Sequence, residues 1–241
     1  MPVQEKSCRH NKKIHRATYP LGDRVFVPCR PITSEDVKST VDDYTALYDV
    51  SLDSRKEHYS SLVNQYYDLA TDFYEFGWVQ SFHFAPRRRG EAFTASLLRH
   101  QNFLADWLSP KPGMQVLDVE CGVGGPMSNL ARRSGASFVG INNNAHQIER
   151  AKIHTKDVKA LCRFILGDYM QIPEDDNSYD AAFAIESMPH APDKTAVFAE
   201  ILRVLRPGAC FAEYEWCLAD DFDPGNAKHL QIKHDIMVGN G

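Results

Sequence analysis

In the stretch HYSSLVNQYYDLATDFYEF, apolar residues Tyr59, Leu62, Val63, Tyr66, Leu69, Ala70, Phe73 and Phe76 recur at steps of three and four. That spacing predicts an amphipathic helix. A second pattern of this kind runs from about Glu91 to Trp107 and stops at Pro110 and Pro112. From Gly113 the pattern changes to short apolar runs separated by helical stretches. MQVLDV ends in a glycine turn, Pro126 opens a helix, and Gly135 closes it. SFVGI follows, then a helix capped by Asn144 with Ile148, Ala151 and Val158 facing inward. CRFILGD and YDAAFAIES are the third and fourth runs. Asp193 caps a helix carrying Val197, Ile201, Leu202 and Leu205, which Pro207-Gly208 stops, and ACFAEYEW is the fifth strand. Strands alternating with helices of this length predict an α/β fold, a doubly wound and mostly parallel sheet. The chain then divides into a loose polar arm (1–34), a helical cap that covers substrate (35–110) and an α/β domain (111–241).

Composition narrows the function classes. The 241 residues are 43% hydrophobic, enough for one sizeable core, and the net charge of −5 gives no basic field for nucleic acid. Six cysteines stand without any C-x-x-C pair, and ten histidines form no H-x-x-x-H or H-E-x-x-H pattern. Free intracellular thiols are expected, with no disulfide scaffold and no metal. No apolar run approaches the ~20 residues of a membrane span. The basic N-terminus lacks the apolar middle of a secretory signal and reads as a solvated arm.

The chemistry sits where the strands end. In a doubly wound sheet, ligands bind at the carboxyl ends of the strands, near the point where strand order reverses. Four clusters meet that condition: Asp118 to Gly125, Asn142 to Asn144 (with Gln147 behind them), Asp168 with Tyr169, and Glu186 to His190. A dinucleotide fingerprint would require glycine at position 120 or 127, where Glu120 and Met127 stand. Asn142 also replaces the acid that would hold an NAD ribose.

An aspartate at a strand end, then C-G-V-G-G, an acid after the third strand and L-R-P-G resemble the class I S-adenosylmethionine-dependent methyltransferases. For that cofactor, bare backbone at Gly122 and Gly124 permits close approach, next to Asp118. Asp168 can accept from the adenine amino group, Asn142 or Asn144 can bond the ribose hydroxyls, and Gln147 and Tyr169 complete the predicted set. The match is closer in YYDLATDFYEFGWVQSFHFAPR (Tyr66 to Arg87), which resembles the sterol 24-C-methyltransferases. VLDVECGVGGP, GINNNAHQIERA, AIESMPHAP, LRVLRPG and EYEW continue the resemblance, over roughly residues 40 to 241.

The resemblance implies methyl transfer from S-adenosylmethionine to the side-chain double bond of a sterol at carbon 24, in sterol biosynthesis. The alkene is the nucleophile; a cation forms, a hydride shifts and a proton leaves. Aromatic faces soften such a cation by about 0.5–2 kcal/mol each when desolvated. Tyr66, Trp78, Phe82 and Phe84 are accordingly the expected substrate contacts, with Tyr74 among the catalytic groups. Glu75, Glu186 and His190 are the candidates for charge stabilisation and final deprotonation. A sterol substrate implies peripheral membrane contact, at the endoplasmic reticulum or a lipid-droplet surface.

Four departures from the family pattern stand out. Its L-D-V-G-C-G-V-G-G carries Glu120 in place of the first glycine, its G-W-G ends in Val79, and its E-A-T-C-H-A-P reads ESMPHAP. The residues after EYEW, 217–241, read as one polar helix, short of the family's sixth and seventh strands. A glutamate on a left-handed backbone costs about 1–2 kcal/mol, and a carboxylate ~4 Å from a ligand's carboxylate costs up to ~4 kcal/mol at a dielectric near 20. Two alternatives therefore stay open: a degenerate or fragmentary relative with weak or no cofactor binding, and a methyltransferase for another apolar small molecule.

Overall fold

The computed structural model describes Lys38 and residues 59–240 (the side chains of Leu62, Leu69 and 238–240 apart). They belong to one compact unit, Ser34–Gly241. The polar arm predicted over 1–34, and the start of the predicted cap, lie outside the described residues.

Helices α1 (Tyr59–Trp78) and α2 (Phe93–Leu108) precede strand β1 (Gln115–Val119). Then come α3 (Gly125–Ser134), β2 (Ser137–Asn142), α4 (Ala145–His154) and β3 (Cys162–Leu166). β4 (Tyr179–Ile185), a 3-10 turn (Met188–His190), α5 (Lys194–Val204), β5 (Leu205–Tyr214) and α6 (Ala227–Asn240) complete the order. The strands form a five-stranded sheet in the order β3-β2-β1-β4-β5, with every neighbouring pair parallel.

Alternation along the central strands divides the core between the two faces. Val116, Ala181 and Phe183 pack with Leu104 and Leu108 of α2 and Met127 and Leu130 of α3. Leu117, Val119, Ala182 and Ala184 pack on the opposite face with Val197, Ile201 and Val204 of α5. Burial on both faces is why these strands read as nearly continuous apolar runs. The chain leaves β1 towards β2 on one side and reaches β4 on the other, so order reverses between β1 and β4. A crevice opens at their carboxyl ends, between Glu120–Gly125 and Glu186–His190.

The helix ends follow the sequence closely. Asn144 Oδ1 accepts from Gln147 N (2.9 Å), Asp193 Oδ1 accepts from Thr195 N (2.9 Å), and Gly135 closes α3 at φ 70°. Other details differ. Pro126 is the second residue of α3, after Gly125. α5 ends at Val204, and Pro207-Gly208 lies within β5 instead of stopping a helix. The β4–β5 register shifts between Tyr179 and Ala181, because an edge strand accommodates a proline that donates no ladder bond. Leu202 is exposed, and so are Phe73 and Phe76, at 73% and 78%. The face of α1 turned to the protein carries Val63 and the fully buried Thr71. Glu75, between Phe73 and Phe76, turns inward to Arg150 and His154 of α4, so both aromatics fall on the outer side of the helix.

Candidate active site

The crevice is a small, part-open cleft of about 60 Å³. Six segments meet in it. α1 supplies Tyr59, Val63 and Tyr67, and the turn after α1 supplies Phe82. The turn after β1 supplies Glu120 and Gly122, Asn143 and Gln147 lie after β2, and Tyr169 lies after β3. Ile185, Glu186, Ser187 and His190 come from the end of β4.

Of the sequence-predicted residues, Gly122, Gln147, Tyr169, Phe82, Glu186 and His190 line this cleft. Gly122 has φ 52°, and a Cβ built there meets nothing within 4 Å, so backbone is bared to the cleft as expected. Gly124 differs: a Cβ there would lie 3.1 Å from Ala151 Cβ, and its bareness lets α3 approach α4. Gly125 is the tightest position of the turn. A Cβ on it would fall 1.7 Å from the Gln80 carbonyl oxygen, so the segment after α1 passes directly over the glycine turn.

The amides and acids sort differently from expectation. Asn142 is buried and donates its Nδ2 to Gln147 Oε1 (2.6 Å). Asn144 caps α4 and donates to Asp68 Oδ1 (2.8 Å). Asn143, between them, faces the cleft. Asp168 is committed elsewhere, with one oxygen accepting from Met170 N (2.7 Å) and the other from the Tyr59 hydroxyl. Asp118 is buried behind the lining, its Oδ2 lacks a hydrogen-bond partner, and desolvation pushes its carboxyl well above the ordinary range.

Glu75 is removed from the cleft altogether. Its carboxylate pairs with Arg150 (2.7 Å) and with His154, all three side chains being close to fully buried. Burial alone would raise this carboxyl, but hydrogen bonds from His154 and Arg150 outweigh it and hold it below the ordinary range. The position reads as a tie between α1 and α4.

Tyr66, Tyr74, Trp78 and Phe84 are not lining residues; they form the aromatic framework behind them. Tyr66 and Tyr74 share a hydroxyl hydrogen bond (2.5 Å), and Tyr74 packs edge-on to Trp78 (5.5 Å between centroids). Trp78 contacts Phe84, and Phe84 contacts Trp216 (5.5 Å). The cleft end of this framework is Tyr67, edge-on to His190 at 5.9 Å and with its hydroxyl 3.5 Å from His190 Nε2. Glu186 ties the other end. Its carboxylate accepts from Phe84 N (2.9 Å) and Trp216 Nε1 (3.1 Å), and burial still leaves its carboxyl raised.

Tyr59, Tyr67, Asn143, Ile185 and Ser187 were not singled out from sequence. Tyr59, Val63 and Tyr67 stand at i, i+4 and i+8 on α1, a one-face spacing that carried the signal. Asn143 follows from strand alternation once Asn142 is seen to point inward. Glu120 has φ 61°, and its Oε1 is buried without a hydrogen-bond partner. Desolvation, then the charges of Asp168 and Asp118, push its carboxyl well above the ordinary range. Asn143 Oδ1, the Tyr169 hydroxyl and the Ser187 hydroxyl are likewise buried and unpartnered. With Glu120 Oε1 these atoms gather at one cleft. Among the described residues there is no cluster that could hold a metal ion.

The family model described as a methyltransferase domain matches residues 117–212. The chain is 50% identical over 215 residues to cycloartenol-C-24-methyltransferase 1 of Oryza sativa subsp. japonica, covering 87% of this chain and 62% of that protein. It is 47% identical to the cycloartenol-C-24-methyltransferase of Arabidopsis thaliana, covering 87% and 64%. It is also 47% identical to sterol 24-C-methyltransferase erg6 of Schizosaccharomyces pombe, covering 78% and 50%. The chain therefore spans between half and two thirds of the length of these relatives. In fold it is similar to the [4+2]-cyclase SpnF (TM-score 0.63, 24% identity, 74% of this chain and 72% of that one). It is equally similar to geranyl diphosphate C-methyltransferase from Streptomyces coelicolor A3(2) (TM-score 0.64, 19% identity, 73% and 72%).

Proposed function

We propose that this chain, similar to sterol C-24 methyltransferases over the stretch that it shares with them, is of that family and takes part in methyl transfer from S-adenosylmethionine to carbon 24 of a sterol side chain. The observation that carries this reading is the cleft itself. It combines an open glycine backbone at Gly122 and unpartnered polar atoms on one side with aromatic faces and two proton acceptors on the other.

Gly122, Asn143, Gln147, Tyr169 and Ser187 are the residues that would hold the cofactor. When bound, S-adenosylmethionine supplies an electrophilic methyl group. Val63, Ile185 and Phe82 offer apolar contact to a side-chain alkene and keep water from it. Tyr67 and Phe82 present aromatic faces to the cation that alkylation leaves. His190 can accept the final proton at a ring nitrogen. Glu186 can accept it at a carboxylate oxygen, where a raised pKa favours uptake. The aromatic framework from Tyr74 to Trp216 holds Glu186 in position. The exposed Phe73 and Phe76 on α1 support peripheral contact with the endoplasmic reticulum or a lipid droplet, where such a substrate resides. Among the described residues, no helix is long and apolar enough to cross a membrane.

The test is calorimetric titration with S-adenosylmethionine, joined to transfer of a labelled methyl group to a side-chain-unsaturated sterol. Binding with incorporation at carbon 24 is expected. Glu186→Gln should lower turnover by about 10²–10⁴-fold, the range of general acid–base contributions, while leaving cofactor binding intact. No incorporation into any side-chain-unsaturated sterol would sink the reading. One observation favours a second reading, that of a relative which no longer turns over: Glu120 stands left-handed, with a buried orphan oxygen inside the cleft. In that case binding is absent at millimolar cofactor and returns in Glu120→Gly.

A further inference from the structure

The segment between α1 and α2 carries a backbone group aimed at Glu186. Phe84 N donates to Glu186 Oε1 (2.9 Å), while Trp216 Nε1 donates to Oε2 (3.1 Å). Phe84 is itself held by its neighbour, since His83 Nδ1 lies 2.9 Å from the Phe84 carbonyl oxygen. A carbonyl oxygen only accepts, so Nδ1 carries the proton. The His83 ring is 2% exposed, and burial lowers its proton affinity and keeps it neutral. Its Nε2 is then a buried acceptor that needs a donor.

One side chain of α2 supplies that donor. Gln101, 1% exposed, places its Nε2 2.8 Å from His83 Nε2 and 2.9 Å from Ser81 Oγ. Its amide is oriented from the far side, where Asn129 Nδ2 of α3 donates to Gln101 Oε1 (3.0 Å). The Gln101 amide therefore donates to His83 and selects one tautomer. The opposite tautomer would set two donors against each other and leave the Phe84 carbonyl without its hydrogen bond. The His83 ring also stacks on His100 (5.7 Å between centroids), which burial holds down to about 4 and so keeps neutral. His100 stacks in turn on Tyr214 (3.6 Å), whose carbonyl accepts from Glu186 N (2.8 Å). Phe84 and Tyr214, two supports of Glu186, thus both lead back to α2. Asn129, Gln101 and His83 are not among the residues lining the cleft.

We propose that Gln101 and His83 are positioning residues for Glu186: Gln101 fixes the His83 tautomer, His83 holds the Phe84 carbonyl, and the Phe84 N–H is thereby kept on the Glu186 carboxylate. This role rests on the reading of Glu186 as an acceptor of the final proton. Hydrogen bonds to a carboxylate favour its charged form. Loosening the Phe84 N–H therefore raises the Glu186 carboxyl beyond where burial already puts it, and Glu186 becomes a base only at higher pH. Among the described residues, the titratable groups around Glu186 are Glu215 and, in the cleft lining, Tyr59, Tyr67, Glu120, Tyr169 and His190. Substitutions at Gln101 and His83 leave all of these in place.

The experiment uses the whole chain. The ring nitrogens of His83 and the side-chain carboxyl carbon of Glu186 are followed by NMR, and the pH dependence of methyl transfer is measured beside them. The native chain should show neutral His83 protonated at Nδ1. Gln101→Met keeps the side-chain length and removes its donors. It should raise the Glu186 titration by about one pH unit and carry the acid limb of the rate profile with it. His83→Leu should do the same. His83→Asn, whose amide nitrogen takes the place of Nδ1, should keep the native titration. Thermal melting checks that each variant folds, and the native tautomer is read without any variant. Neutral His83 protonated at Nε2 in the native chain overturns the inference, as does an unmoved Glu186 titration in folded Gln101→Met or His83→Leu. Equal shifts in His83→Asn and His83→Leu overturn it too, since packing alone would then be the cause. Unchanged turnover in Glu186→Gln overturns the proton-acceptor reading, and the positioning role with it, even where tautomer and titration come out as expected.

Discussion

Two side chains occupy left-handed backbone at positions where the pattern that this sequence resembles has glycine: Val79 at φ 62° and Glu120, in the cleft lining, at φ 61°. Val79 is the cleaner case, since it is partly exposed and β-branched. Left-handed backbone costs a non-glycine residue about 1–2 kcal/mol. Val79→Gly should therefore stabilise the chain, with the melting temperature rising by about 2–4 °C per kcal/mol gained. A fall in melting temperature would show that Val79 makes contacts worth more than its strain. The pattern of departures was legible in the sequence. That both fall on positive φ was not, because backbone conformation depends on the segments packed around each turn.

At the scale of elements, α1 is held to α4 by the Glu75–Arg150–His154 group and by His146 facing Asp72 at 3.5 Å. Breaking a buried ion pair by removing one partner costs about 3–5 kcal/mol, and Glu75→Gln should destabilise the chain on that order. The sign of the pH dependence follows from the depressed Glu75 carboxyl. Its contribution is complete above the ordinary glutamate value and is lost as pH falls through the lower folded value. The gap in stability between native chain and Glu75→Gln should then close as the solution is acidified below the ordinary range. Chemical denaturation across that window measures it, and a gap that stays constant would remove the ion pair as the cause. Sequence placed Glu75 among catalytic candidates because it sits in an aromatic-rich segment. Only the helix phase of α1 shows that Glu75 faces α4 while Tyr59, Val63 and Tyr67 face the cleft.

For the molecule as a whole, α1 turns Tyr67 towards the cleft and leaves Phe73 and Phe76 exposed. On the proposed function, a helix with apolar residues on both sides suits transfer of an apolar substrate from a bilayer. The chain should float with phospholipid vesicles, and Phe73→Ser combined with Phe76→Ser should cut the bound fraction several-fold without moving the melting temperature. Equal flotation of both proteins would leave those aromatics without a membrane role.

The sequence by itself determined the parallel sheet, its helix caps and the four clusters at the strand ends. Those depend on local periodicity, capping chemistry and strand order, which a short window of residues encodes. The tertiary structure decided which member of each cluster lines the cleft: Asn143 between Asn142 and Asn144, Tyr169 beside Asp168, Gly122 and not Gly124. Such choices turn on the alternation of side chains at strand ends and on what lies opposite each one. The Tyr59 hydroxyl donates to the Asp168 carboxylate from 109 residues away, and the Gln80 carbonyl presses against Gly125 from 45 residues away. Contacts across that separation are settled by packing, and no local pattern carries them.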